Sequence, residues 1–267
     1  MKIFDPHIHM YSRTTDDYER MALAGVTMIV EPGGFWLGNL RKRAGTFFDY
    51  FDHLIHYEPQ RAAEFGIEHR CTVSMNPKEA NDENLAAEVL EMLPQYLENE
   101  RVVAIGEIGF DQITKAEEKV FIAQLELARQ TGLPVLIHSP HNDKKRGIER
   151  ILAVLKELDY PLERAVVDHN TEETIALTKD AGYWAGHTVY PLKKLSPDRA
   201  TTILQQYGTD RMLINSSADW GISDPLAVAK TAVVMRRRGF SAEEIRKVVW
   251  QNPHAFYSPS GRLSDET

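Results

Sequence analysis

Short apolar or β-branched runs, each closed by polar residues, recur along the chain and alternate with stretches of helical periodicity. Eight can be picked out: KIFDPHI, VTMIVE, HRCTVSM, RVVAIGE, LPVLIH, RAVVDH, GYWAGH and RMLINSS. Their nearly unbroken apolar character fits strands buried on both faces, and their separation by helices implies parallel βα units. The helices carry their own punctuation. Thr114 and Glu117 predict a capping box ahead of an apolar stripe through Phe121, Leu125 and Ala128, with Gly132 placed to end it. Ser196 with Pro197 opens a helix that Gly208 can stop, Asp224 with Pro225 one that runs to Gly239, and Ser241 with Glu244 the last.

Eight strands, each followed by helix, in a chain of 267 residues predict an α/β fold of the (β/α)8 TIM-barrel type, whose usual length is about 250 residues. A doubly wound open sheet would ordinarily carry a glycine-rich phosphate loop after its first strand. The turn here, HMYSRTT, has no glycine. No repeat, low-complexity tract or linker interrupts the pattern, so residues 1–267 are expected to form a single domain. One connection is unusual: the segment 33–68 between the second and third runs is longer than an ordinary barrel loop plus helix. It is rich in aromatics: Phe35, Trp36, Phe47, Phe48, Tyr50, Phe51 and Tyr57. The simpler expectation is a helix pair packing its own small core; the alternative is a lid or substrate wall.

Composition narrows the function classes. A hydrophobic content of 43% supports one large core, and a net charge of -8 argues against a protein that coats phosphate backbones or anionic membranes. The single cysteine, Cys71, cannot form an internal disulfide or a CxxC site, which fits a reducing compartment. The chain opens directly on a strand pattern and has no apolar run of membrane-spanning length, so a soluble cytoplasmic protein starting near Met1 is expected.

The polar residues that close the runs carry the chemistry. Asp5, His7 and His9 share one parity on the first run, Glu107 ends the fourth, His138 the fifth and His169 the sixth, and Asp219 follows the eighth on the parity of Asn215 and Ser217. Any one of these histidines alone is better explained as a hydrogen-bonded structural residue. Four imidazoles and two carboxylates buried at one end of one barrel would be costly unless compensated, and divalent cations compensate them. Pro6 removes a ladder donor, which suits the end of a strand.

HxH on the first strand, an acid on the fourth, His on the fifth and sixth and Asp after the eighth resemble the binuclear amidohydrolase superfamily. Within it, VVAIGEIGFD and PVLIHS are similar to the fourth and fifth strands of TatD-like hydrolases, and IRKVVWQNPHAFY to their closing helix. NSSADWGISDP and DHNTEET resemble, more narrowly, the TatD-like branch named EboB, found with genes for prenylated secondary metabolites. The resemblance implies two divalent metal ions, zinc being expected in a purified sample with manganese, iron or magnesium as alternatives. It implies His7, His9 and Asp219 on one metal, His138 and His169 on the other, Glu107 bridging, a metal-activated water as nucleophile and Asp219 as general base and then acid. Asp5 is expected to orient an imidazole from behind, and Asp111, His141, His187 and Tyr190 are candidates for contact with substrate or support of the site.

The surrounding residues depart from the nuclease members of that family. SMNP stands where GIHP is usual, Pro140 where an arginine follows the fifth-strand histidine, DHNTE for HCFSG and NSSADW for ETDSPY. Loss of the arginine removes a bidentate phosphate clamp. Arg41, Lys42 and Arg43 could replace it, although a short basic run is more often a solvated face. A small molecule with an ester, lactone, amide or phosphoester bond is therefore the expected substrate. A TatD-type deoxyribonuclease and a noncatalytic subunit with a structural metal site are the alternatives, and the oligomeric state is not legible in the sequence.

Overall fold

The computed structural model describes residues 1–35 and 37–264; Trp36 and residues 265–267 lie outside the description. Each of the eight runs overlaps one strand: β1 (Ile3–Asp5), β2 (Val26–Pro32), β3 (Glu68–Val73), β4 (Val102–Gly109), β5 (Val135–His138), β6 (Ala165–Val167), β7 (Trp184–Thr188) and β8 (Met212–Asn215). They form one parallel sheet in sequence order. Past the end of β1, Ser217 N donates to His7 O at 2.8 Å and His9 N to Ala218 O at 2.9 Å, so the seam between β8 and β1 is joined at its C-terminal end. The fold is thus a nearly closed (β/α)8 barrel.

Residues on the inner faces of the strands, among them Phe4, Val30, Val103, Leu136, Val166 and Leu213, fill the barrel. Trp250, Phe256 and Tyr257 from the C-terminal helical segment pack against them, and Tyr257 Oη donates to Pro6 O at 2.8 Å. With the interior filled, polar side chains and ligands are left the C-terminal mouth. Two further clusters, around Phe47, Phe121 and Ile151 and around Met21, Ile203 and Val249, weld the helices to the outside of the sheet. Burial of such side chains is worth about 1.5–3 kcal/mol each, which sets the rigidity on which the mouth is built.

The predicted caps form: Thr114 and Ser241 each exchange capping-box hydrogen bonds with Glu117 and Glu244, and Ser196 caps the helix Pro197–Tyr207. The helix expected to open at Asp224 begins instead at Ala227, because Asp224 Oδ1 accepts from Leu226 N and shapes a turn first. No helix among the described residues is long and apolar enough to cross a membrane.

The long connection is not a separate small core. Its helical segments, Gly45–Asp52, His53–Tyr57 and Glu58–Ala63, follow one another directly, and Phe47, Tyr50, Phe51, Leu54 and Ile55 join the main cluster. Only the stretch ahead of them runs across the mouth. Arg41 is not solvated there: it is buried, its guanidinium pairs with Glu79 (Nη2 to Oε2, 2.5 Å), donates to Phe35 O at 2.9 Å and stacks 3.5 Å over Phe47. Arg41→Ala would strand the buried Glu79 carboxylate. A loss of about 3 kcal/mol in urea unfolding is expected, largely recovered in Arg41→Met/Glu79→Gln, where neither charge remains.

Candidate metal centre

Each strand end delivers its polar residue to the mouth because Pro6, Gly109 and the turns beyond the strands stop the ladders there. His7, His9, Glu107 and His169 are buried; His138 is half-buried. The nitrogen and oxygen atoms they present fall into two groups that share one carboxylate: His7, His9 and Glu107, and Glu107, His138 and His169. His7 Nε2 lies 3.1 Å from His9 Nε2, and His169 Nε2 lies 3.1 Å from His138 Nδ1 and from Glu107 Oε1. His138 Nδ1 is likewise 3.1 Å from Glu107 Oε1, and His7 Nε2 is 3.6 Å from Glu107 Oε2.

What lies behind these rings fixes which nitrogen faces the mouth. Asp168, buried, takes the Nδ1 proton of His7 at 2.6 Å, and Thr188 Oγ1 lies 2.6 Å from His169 Nδ1. Nε2 of His7 is then turned to the mouth, the usual arrangement behind a metal-ligating imidazole, while His169 Nδ1 lies between Thr188 Oγ1 and Lys194 Nζ. Ring nitrogens and carboxylate oxygens crowded 3.1–3.6 Å apart form a donor set that fits divalent metal. Burial favours neutral imidazoles at His9 and His169, and both are held well below the usual histidine range. Burial alone would raise Glu107. The imidazoles of His7, His138 and His169 overrule it and keep the carboxyl well below its ordinary range, ionised as a bridging ligand must be.

The remaining expected residues separate. Asp219, half-buried in the loop after β8, lines the cavity but belongs to neither donor group. Its Oδ1 accepts from Tyr190 Oη at 2.7 Å and from Gly221 N at 2.7 Å, and its carbonyl accepts from Arg13 Nη1 at 2.8 Å. Tyr190 thus touches the candidate base. Asp5 does not reach an imidazole ring: its Oδ1 accepts from the backbone amides of His7 and Ser216, tying β1 to β8, and the place behind His7 is taken by Asp168. Asp111 lines the cavity, 3.9 Å from Lys78, and His141 lies at the rim with its ring centroid 5.7 Å from that of His138. His187 does not line it; buried, with Nδ1 donating to Asn170 O at 3.3 Å and its pKa lowered by that burial to about 4, it is a neutral filler of the barrel.

Two glycines make room. A Cβ at Gly186 would collide with the Asp168 carboxylate, and one at Gly34 with Ser74 Oγ and the backbone of Glu107. The stretch after β2 can therefore lie directly over Glu107, where Asn76 Nδ2 holds Gly34 O and Phe35 stacks on His9 (centroids 3.8 Å apart, planes 17° apart). The cavity at the mouth has a volume of ≈ 250 Å³.

Asp168, Lys194 and Glu79 were not picked out as site or support residues from the sequence alone, and Arg41, considered there as a phosphate clamp, is engaged by Glu79. Asp168 had a readable signal: a carboxylate inside VVDH, between apolar residues and a candidate ligand, needs a buried partner.

A family model described as TatD related DNase matches residues 4–258. An uncharacterized metal-dependent hydrolase of Methanocaldococcus jannaschii is 32% identical over 261 residues, covering 96% of this chain and 99% of that protein. The 3'-5' ssDNA/RNA exonuclease TatD of Pantoea ananatis is 27% identical over 174 residues, 61% of this chain and 64% of its own length. A TatD-like protein of Archaeoglobus fulgidus superposes with a TM-score of 0.78 at 26% identity, covering 95% of this chain and 99% of that one. By its barrel, its clustered imidazoles and carboxylates and these matches along nearly its whole length, the chain belongs to the TatD family of metal-dependent hydrolases.

Proposed function

We propose that the protein is a binuclear hydrolase acting on an ester, lactone, amide or phosphoester bond of a small molecule. The observation that carries it is the pair of donor groups sharing Glu107, with Asp168 behind His7 holding its Nε2 toward the mouth. On this reading His7 and His9 hold one ion, His138 and His169 the other, and Glu107 both. Zinc, manganese, iron and magnesium are the candidates, since imidazole and carboxylate do not discriminate sharply among them. Bound ions would supply a water activated near neutral pH and a Lewis acid for the scissile bond.

The chain's own residues do the rest. Asp168 holds His7 in the required tautomer; Asp219, fixed by Tyr190, Gly221 N and Arg13, takes a proton at Oδ2 and returns it to the leaving group. Phe35 and the backbone at Gly34 keep bulk water from the His9 side. A cavity of ≈ 250 Å³, without an arginine after His138, supports a small substrate, and the EboB-like motifs support a place in secondary metabolism. A cytoplasmic location belongs to the same reading. The names of the TatD exonuclease relatives favour a second one, hydrolysis of DNA with the same metals.

The deciding experiment loads the purified protein with Zn²⁺ or Mn²⁺, counts metal and assays aryl esters, lactones, amides and phosphoesters beside single-stranded and duplex DNA. About two equivalents of metal and turnover of a small substrate are expected. Cleavage of DNA alone, above an Asp219→Asn control, would favour the nuclease. Less than one equivalent, unchanged in His7→Ala, would refute the centre.

A further inference from the structure

The two sides of the cavity differ in chemistry. On the His9 side lies the ring of Phe35, itself 5.1 Å from Trp220. Facing it are Lys78 from the loop after β3, His141 from the loop after β5, and Lys193 and Lys194 from the loop after β7. Lys144, opening the helix Lys144–Glu157, backs this wall with Nζ 3.0 Å from Ser139 Oγ. Loops after β3, β5 and β7, spread around the mouth, thus bring basic side chains to one cavity in a chain whose net charge is -8.

The carboxylates nearby do not erase that field. Glu107 is engaged by three imidazoles and Asp219 by Tyr190, while Asp111 stands 3.9 Å from Lys78. Lys194, half-buried, has Nζ 3.1 Å from His169 Nδ1. Divalent ions in the centre would add further positive charge.

We propose that Lys78, Lys193 and Lys194 bind an anionic group of the substrate, a carboxylate or a phosphate, distinct from the bond that is cleaved. The inference rests on the hydrolase reading, because it treats the cavity as a substrate site. It explains how a cavity lacking the arginine clamp still selects a charged molecule: ammonium groups act as point charges that need no bidentate geometry. The substrate would lie with its scissile bond at the centre, its apolar part toward Phe35 and its anion on the lysine wall.

Calorimetric titration of the metal-loaded protein tests this without requiring turnover. Three probes share a short chain: n-butyrate with one carboxylate, glutarate with a second carboxylate, and 4-phosphonobutyrate with a phosphonate. At least one of the two longer-charged probes is expected to bind about tenfold tighter than butyrate, and the larger gain identifies carboxylate or phosphate as the preferred group. In Lys78→Met/Lys193→Met the gain should fall below about threefold, with butyrate affinity and metal content unchanged, and Lys78→Arg/Lys193→Arg should keep it. Equal affinity for all three probes, or a gain that survives in the methionine variant, would overturn the proposal. Failure to hydrolyse any small substrate would refute the hydrolase reading and leave this binding result standing.

Discussion

Glu107→Gln is expected to empty the centre. The variant should retain under about a tenth of the wild-type metal by elemental analysis, and its turnover of whichever substrate the wild type accepts should fall at least about 10³-fold. The reason is local. Glu107 is the one residue common to both donor groups, and among the imidazoles around it its carboxylate supplies the negative charge. Glutamine keeps the shape but offers a neutral oxygen and an NH₂ that would point a proton at a lone pair of His138 or His169. Both groups are damaged by one change, whereas His9→Ala or His138→Ala should each weaken one group and leave the other. Full metal occupancy in Glu107→Gln would mean that the ions are held elsewhere.

The barrel was legible because buried parallel strands leave a blunt signature, runs of apolar residues bounded by polar ones. Each strand overlaps its predicted run, with β2, β3, β4 and β7 reaching one or two residues past it. The candidate ligands were legible for a related reason: His7, His9, Glu107, His138 and His169 stand at or just past the ends of apolar strands, where burial of a polar group is expensive and calls for an explanation. What was not legible depends on side chains meeting across strands. Asp5 and Asp168 both look suited to stand behind an imidazole, and only the closure of the barrel, which brings the end of β6 toward the end of β1 with Gly186 leaving the room, decides for Asp168. The segment 33–68 misled in the same way: Phe47, Phe48, Tyr50 and Phe51 do pack, but on the barrel itself, and Arg41 in its basic run is buried against Glu79, 38 residues away in sequence. Charge runs read as solvated faces unless a distant carboxylate intervenes, and no local pattern announces that.

Asp219→Asn should separate chemistry from metal binding. The substitution preserves the size of the side chain and an oxygen able to accept from Tyr190 Oη and Gly221 N, so the loop after β8 should hold and thermal stability should stay close to wild type. Because Asp219 lies outside both donor groups, metal content should also remain near the wild-type value. Turnover should nevertheless fall by about 10²–10⁴-fold, the usual scale for removing a positioned proton acceptor. Tyr190→Phe supplies the graded comparison: it keeps the carboxylate and the Gly221 N contact but removes the Tyr190 donor, so a smaller loss is expected. If Asp219→Asn instead sheds metal, the carboxylate must turn away from Tyr190 and into the His7 and His9 group when the ions bind. Metal content measured beside turnover therefore decides whether Asp219 acts on protons alone or is a ligand as well.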